Sequence, residues 1–181
     1  MPSVVAHAAA ALSVGALFRS SALPTRFWVV AGLAVALPDL DALLRPFSNT
    51  EAEQLVGGHR GLTHSIPFAM ALAAVMVRSR VMGPGWIGSR LNLWIWLSLA
   101  IASHGILDIF TRYGEGVALL APISWHQFKS SWTPLGTGGA CRGIVACAVR
   151  GLSNELLWIW VPSLMLVGLS RVLRKPRQAP G

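Results

Sequence analysis

The stretch LNLWIWLSLAIASHGILDIFT, from Leu91 to Thr111, decides the fold class of this chain. As a helix, an apolar stretch of this length crosses the roughly 30 Å hydrocarbon core of a bilayer. His104 and Asp108 lie four residues apart near its end, on one helical face. Ionisable groups inside such a stretch are costly unless they are paired or bind a metal. The stretch therefore predicts a membrane helix whose His and Asp either ligate an ion or form a hydrogen bond that packs helices.

The rest of the 181-residue chain is also apolar. Hydrophobic residues make up 54% of it and charged residues 12%, with eight Trp, which is unlike an ordinary water-soluble domain. We predict an all-α, polytopic membrane protein with about five hydrophobic helices. Residues 1–173 would form a single helical membrane domain, and residues 174–181 a basic cytoplasmic tail. The five apolar stretches are Val4 to Phe18, Phe27 to Leu44, Leu62 to Val77, Leu91 to Thr111 and Leu156 to Leu173.

The distribution of charge predicts the orientation in a bacterial inner (plasma) membrane, because cytoplasmic loops carry an excess of Lys and Arg. If the five stretches cross alternately, every Asp and Glu falls on one side, with the amino terminus. That side should be the exterior, and the carboxyl terminus should be cytoplasmic. The first stretch lacks the basic region of a secretory signal, so we expect it to remain as a helix. The net charge of +8 then reflects cytoplasmic loops and anionic lipid rather than nucleic acid.

The Asp and His residues are few and clustered. All of them except His126 fall in four short segments, and the predicted topology brings those segments to the outer leaflet. The clusters are His7, Asp39 with Asp41 in P-D-L-D, His59 with His64 in H-R-G-L-T-H, and His104 with Asp108. His7 taken alone is typical of a packing residue, and it becomes a candidate ligand because the topology places it beside the others.

The P-D-L-D segment places two carboxylates two residues apart. In a regular helix Asp39 and Asp41 would point in roughly opposite directions, but a break near Pro38 could turn both inward. Two carboxylates this close cannot both stay ionised in apolar surroundings without a cation. The alternative interpretation is a helix end at the lipid–water boundary.

The H-R-G-L-T-H-S-I-P segment is typical of a loop that opens a helix. Thr63 or Ser65 would cap that helix, with Pro67 in its first turn, so His64 would stand at the mouth of the third span. Arg60, on a looser loop, is suited to binding a phosphate oxygen, although a juxtamembrane Arg more often contacts lipid headgroups.

Two further features stay outside the predicted site. His126 lies among Trp125, Phe128 and Trp132 in an outer loop, which favours interfacial anchoring over ligation. Cys141 and Cys147 lie in the outer loop that follows. The sequence is consistent with a disulfide between them and equally with two free thiols.

The clusters supply nitrogen and oxygen donors without thiolate, which favours Zn, with Mn or Fe as alternatives, as one or two ions. Such an ion lowers the pKa of a water ligand and polarises a phosphoryl or carbonyl oxygen. A metal hydrolase is the natural interpretation.

The motifs resemble the YdjM-like inner-membrane proteins, a family described as membrane-bound metal-dependent hydrolases and sometimes labelled LexA-binding or LexA-regulated. The likeness covers about the first two-thirds of the chain, and H-R-G-x-T-H-S is its most diagnostic element. The matching elements are His7, Pro38 to Asp41, His59 to Ser65, Ser103 to Asp108 and Ala121 to Ser124. The ligand order is also similar to that of the all-helical zinc-dependent phospholipases C. That likeness implies the metal ligands His7, Asp39, His64, His104 and Asp108, whereas the further His and Glu ligands of those enzymes are matched only by Glu155, and weakly.

The leading hypothesis is a membrane enzyme that uses this ion to hydrolyse a phosphoester or other ester of an amphiphilic or lipid-linked substrate. Asp41 would complete the ligand shell or act as general base, and His59 and Arg60 would orient the substrate or stabilise developing charge. The alternative is a metal transporter or metal-binding protein without hydrolysis, which should carry polar residues through both leaflets. A regulatory membrane partner ranks last, because the predicted cytoplasmic surface is small. The sequence leaves the oligomeric state open.

Overall fold

The computed structural model describes residues 3–17, 24–41, 57–83, 89–112, 114–136 and 144–173. Every regular element in these ranges is helical, and the two β-bridges found there are isolated pairs. The predicted all-α class is therefore confirmed. The helices are α1 (Val4–Leu17), α2 (Thr25–Ala36), α3 (Ile66–Ser79), α4 (Arg90–Ile109), α5 (Ile144–Glu155) and α6 (Val161–Leu173).

Two of the helix ends differ from the predicted stretches for local chemical reasons. Helix α2 ends at Ala36, and residues 37–41 tighten into a 3-10 turn that contains Pro38, a residue that cannot continue an α-helix normally. Helix α3 begins at Ile66 rather than Leu62, because the Ser65 hydroxyl caps it by accepting a hydrogen bond from the Phe68 amide. Proline occupies its first turn as expected.

The carboxyl-terminal helix is longer than the predicted stretch. It begins at Ile144 as α5, widens into a π-helix over Leu156–Trp160 and continues as α6. Polar residues in α5 interrupt the apolar pattern, so hydropathy alone placed its start too late. Pro162 lies two residues after the end of the π-helix, and a wider turn gives its ring room beside the preceding carbonyl groups.

Helix α4 is central to the bundle, because it packs against α1, α2 and α3, while α1 also packs against α2 and α6. The core between them contains Phe27, Leu97 and Ile101 and several buried alanines, which let the helices approach closely. The contacts of His7, Asp39, His64 and Asp108 with one another bring four helix ends together. These are the amino ends of α1 and α3 and the carboxyl ends of α2 and α4.

Within the part of the chain that the structure describes, two helical segments are long and apolar enough to cross a membrane, namely Arg90–Ile109 and Gly151–Val172. Helix α3 is apolar but shorter. The second segment exposes large hydrophobic side chains, with Leu164 66% and Val172 81% exposed. Such a surface is unfavourable in water and favourable in lipid, so the structure supports a helical membrane protein.

Candidate metal centre

Helices α4 and α1 supply the innermost part of the site. His104 and Asp108 lie one turn apart on α4, and both are buried. The His7 ring, from α1, stacks on His104 with ring centroids 3.9 Å apart. His7 Nε2 lies 3.6 Å from Asp108 Oδ1. The helical spacing seen in the sequence thus places two imidazoles and one carboxylate around a common point.

The turn formed by residues 37–41 directs both of its carboxylates toward the cluster, but to different depths. Asp39 Oδ1 lies 3.3 Å from His104 Nε2 and 3.6 Å from His64 Nε2. Asp41 instead contacts the opposite nitrogen of His64, with Oδ2 3.1 Å from Nδ1. The break after α2 therefore turns both side chains inward.

His64 is held where it is by a close approach of two backbones. It lies in a 3-10 helix, Leu62–His64, immediately before α3, and its carbonyl faces Gly105 of α4. A Cβ atom at residue 105 would lie 2.2 Å from the His64 carbonyl oxygen, far inside van der Waals contact. Only glycine lets the 3-10 helix lie this close to α4.

Several side-chain atoms of the cluster that could ligate a metal face one another. They form no hydrogen bond within the described part of the chain. The set comprises His7 Nε2, Asp39 Oδ1, His64 Nε2, His104 Nε2 and Asp108 Oδ1, all buried, whereas Asp108 Oδ2 is ion-paired with Arg60. Buried polar atoms are normally satisfied, and an unsatisfied set calls for an ion or water. Their separations along the ion-pair contacts run from 3.3 to 3.7 Å. Ligands about 2.0–2.2 Å from a tetrahedral zinc ion lie about 3.3–3.6 Å apart, so this donor set fits a divalent metal.

A second layer of contacts orients these donors. Asp41 accepts a hydrogen bond from the Thr63 hydroxyl at 2.7 Å and lies 2.5 Å from His59 Nδ1, in addition to its contact with His64. His104 Nδ1 lies 2.8 Å from the carbonyl oxygen of Val35. Because a carbonyl only accepts, that nitrogen carries the proton, and Nε2 keeps its lone pair. Carboxylates and carbonyls commonly hold metal-binding histidines in this way.

The charges of Asp39, Asp41 and His64, which lie beyond the ends of α2 and α3, depend on one another. Burial would raise the pKa of both carboxyls, but contacts with the histidine rings hold the pKa of Asp39 and Asp41 well below the ordinary value. Burial would lower the pKa of His64, but Asp39 and Asp41 raise it to about 9. Without a metal, the carboxylates stay ionised and attract a proton to His64, so the site favours a cation.

Arg60 is buried rather than on the open surface of a loop. Its side chain pairs with Asp108, with Nε 3.1 Å from Oδ2, and Nη2 donates to the Thr111 hydroxyl at 2.8 Å. Its backbone has φ of 72°, a conformation that costs a non-glycine residue free energy. The neighbouring His59 side chain is 13% exposed, so it is the histidine of the cluster that meets solvent.

Other residues considered in the sequence lie elsewhere. Glu155 binds Ser3 at the start of α1, accepting from its amide at 2.5 Å and from its hydroxyl at 2.9 Å. It holds Ser3, whose hydroxyl accepts from the Ala6 amide of α1, and takes part in none of the metal-competent groups of the described residues. His126 is exposed and lies against Phe128. Cys141 lies outside the described residues, as does the Cys147 side chain, so the disulfide stays untested.

Sequence reasoning did not identify Gly105, Thr63 or Thr111 as part of the site. Gly105 was within the quoted S-H-G-I-L-D motif, but a glycine in an apolar helix gives no sign of which backbone approaches it. Thr63 forms a hydrogen bond with Asp41, and Thr111 forms one with Arg60. Both bonds join segments that are distant in the sequence.

We expect Asp41→Asn to lower the zinc affinity of the purified protein about 10- to 100-fold, because loss of an orienting carboxylate weakens a histidine ligand by this much. Competition with a chromophoric chelator would measure the dissociation constant. Glu115→Gln, which neutralises an exposed carboxylate, should leave it unchanged. Equal affinity in wild type and Asp41→Asn would show that Asp41 does not support the metal site.

Comparison with known proteins agrees with the motifs. The family model of the YdjM inner membrane protein matches residues 1–177. The inner membrane protein YbcI of Escherichia coli (strain K12) is 31% identical over 172 residues, which cover 93% of this chain and 96% of that protein. The uncharacterized protein YfhP of Bacillus subtilis (strain 168) is 32% identical over 99 residues, or 55% of this chain and 27% of that protein. No solved structure matches the chain.

Proposed function

Because the chain belongs to the YdjM family of inner membrane proteins, we propose that it is a membrane-bound, metal-dependent hydrolase. The proposed substrate is a phosphoester or other ester of an amphiphilic or lipid-linked molecule. The observation that carries the proposal is the set of buried, unsatisfied donor atoms from four separate segments that face one another. In a packing network these atoms would form hydrogen bonds with each other or with backbone groups.

The proposed ligands of the ion are His7, Asp39, His64, His104 and Asp108, with zinc the expected metal. When bound, the ion would supply a Lewis acid that activates water and polarises the substrate oxygen. Asp41 keeps His64 and His59 in position through its two carboxylate oxygens. His59, whose side chain is 13% exposed and contacts Asp41, would take or give a proton during the proposed reaction. Arg60 remains a candidate for stabilising charge at Asp108.

The proposed topology has five crossings, with the amino terminus outside and the carboxyl terminus in the cytoplasm. The amino ends of α1 and α3 lie in one cluster with the carboxyl ends of α2 and α4. This arrangement supports successive helices that cross the membrane in opposite directions. The positive-inside pattern supports the orientation. This topology puts the site near the outer leaflet, where the ester group of a lipid-like substrate lies. Membrane lipids are the proposed partners, and nucleic acid is not.

The proposal is tested by hydrolysis of phosphoester and carboxyl-ester lipids by the detergent-purified protein. We expect activity that a chelator removes and zinc restores, and loss of at least about 100-fold in His64→Ala and Asp108→Ala. His126→Ala, a change of an exposed histidine, is the matched control and should keep full activity. Retained activity in both ligand variants would refute the assignment. Zinc uptake into proteoliposomes without hydrolysis would favour a transporter.

A further inference from the structure

We propose that the centre holds a single divalent ion and that Arg60, beside Asp108, provides the remaining positive charge. This inference rests on the proposed metal site. It adds the number of ions, which the sequence leaves at one or two, and a charge-balancing role for Arg60 that does not require contact with substrate.

Two ions would have to share a residue of the cluster. Three groups in the described residues have ligand atoms within 4.8 Å of one another, and they overlap. Two of them share His104, whose Nδ1 faces the Val35 carbonyl, so only one of its nitrogens is a ligand. The third group shares Asp39 with one of these and His64 with the other. The three groups are His7–Asp39–His104, His64–His104–Asp108 and Asp39–His59–His64.

His64 has the same restriction as His104. Its Nδ1 lies 3.1 Å from both Asp41 Oδ2 and the Thr63 hydroxyl oxygen, so Nε2 is the nitrogen directed at Asp39 and Asp108. An imidazole nitrogen has a single lone pair and binds one ion. Among the three groups, two ions could therefore be held only if the two oxygens of the Asp39 carboxylate bridged them.

Arg60 lies against Asp108 and supplies a positive charge there. Its contacts with Asp108 Oδ2 and the Thr111 hydroxyl are reinforced by Thr111, which donates to the Asp108 backbone carbonyl at 2.8 Å. A Cβ atom at Gly114 would lie 2.6 Å from Arg60 Nη1, so the guanidinium is closely enclosed there.

The backbone of Arg60 is fixed on both sides of this contact. Its amide donates to Asp41 Oδ2 at 3.3 Å, and its carbonyl accepts from the Ala118 amide at 3.0 Å. These bonds hold the residue in its left-handed conformation, which is unfavourable for a non-glycine residue. The positive charge is therefore built into the site and does not leave it when a ligand arrives.

The formal charges balance for one ion. Asp39, Asp41 and Asp108 carry three negative charges and Arg60 one positive charge, which leaves a net charge of minus two when the histidines are neutral ligands. One divalent cation brings the total to zero. Two divalent cations would leave two positive charges in excess among buried groups, and uncompensated buried charge is strongly unfavourable.

The test is zinc binding to the detergent-purified full chain after chelator treatment, with stoichiometry by elemental mass spectrometry and affinity by chelator competition. We expect one zinc per chain. Arg60→Met should bind it at least about tenfold more tightly, because a fixed cation that repels the ion is removed. Arg60→Lys keeps the charge and should stay within about threefold of wild type, as should the control Arg112→Met, which changes an exposed arginine.

Two zinc ions per wild-type chain would overturn the inference. Weaker binding by Arg60→Met would also overturn it, because that result means that the guanidinium only holds Asp108 in position. If Arg60→Met does not fold, the wild-type stoichiometry still decides the number of ions. Absence of zinc from the wild-type protein would instead contradict the proposed metal site itself, so the two failures are distinguishable.

Discussion

Wild-type protein purified in detergent is expected to contain one equivalent of a divalent metal, with zinc the expected element, and the Asp39→Ala/His64→Ala/His104→Ala variant none. The three residues contribute three of the buried atoms without a hydrogen bond, so their removal leaves too few donors for a stable site. Elemental mass spectrometry on both proteins measures the difference. We expect a loss of at least about tenfold in metal per chain, since ligand removal affects affinity more than removal of an orienting contact.

The control for this experiment is His126→Ala together with Glu115→Gln, which change one histidine and one carboxylate that are exposed. It should retain the metal of the wild type. Size-exclusion elution and helical circular dichroism must match among the three proteins, so that metal loss is not a consequence of unfolding. Absence of metal from the wild type, even after incubation with zinc, would leave the cluster as a polar packing network and remove the main support for a hydrolase.

Gly105→Ala is expected to destabilise the protein by about 2–3 kcal/mol, which is typical of an inserted methyl group that forces backbone to move. The new Cβ would clash with the His64 carbonyl oxygen, and backbone cannot yield as a side chain does. The displacement would move a proposed ligand, so zinc affinity should fall about 10- to 100-fold as well. Unfolding in detergent and chelator competition measure the two effects.

Gly168→Ala provides a matched control, because it makes the same change in helix α6 at a position with no atom within 4 Å of the added Cβ. Alanine favours a helix over glycine by about 0.5–1 kcal/mol, so this variant should be as stable as the wild type or slightly more so. If Gly105→Ala behaved like Gly168→Ala, with unchanged zinc affinity, the close approach of His64 to α4 would not be needed for the site.

The sequence largely predicted which His and Asp residues the structure brings together. His104 and Asp108 share a helical face by spacing alone, and the alternation of apolar stretches brings the other clusters to the same end of the bundle. The sequence did not predict which oxygen or nitrogen atom of each side chain contacts which atom of the next. Asp39 and Asp41 have the same chemistry and nearly the same position in the chain, yet one faces the unsatisfied donors and the other supports His64 from behind. The 3-10 geometry after α2 makes that difference.

The burial of Arg60 was also not predictable from the sequence. In the sequence it stands in a polar, glycine-bearing segment, which is typical of an exposed loop. In the structure it is buried against Asp108 and Thr111. Its partners lie on another helix and just beyond the end of that helix, and no local pattern indicates them.

The sequence by itself determined that the chain is helical and apolar, that its scarce Asp and His residues fall at alternate helix ends, and that they are oxygen and nitrogen donors suited to a divalent metal. These properties follow from composition and from the periodicity of the helix, which are local. The tertiary structure alone decided that the donors face one another without hydrogen bonds, that Gly105 lets His64 approach α4, and that Arg60 lies against Asp108. These properties depend on contacts between segments far apart in the chain, because burial and packing join side chains that no spacing in the sequence relates.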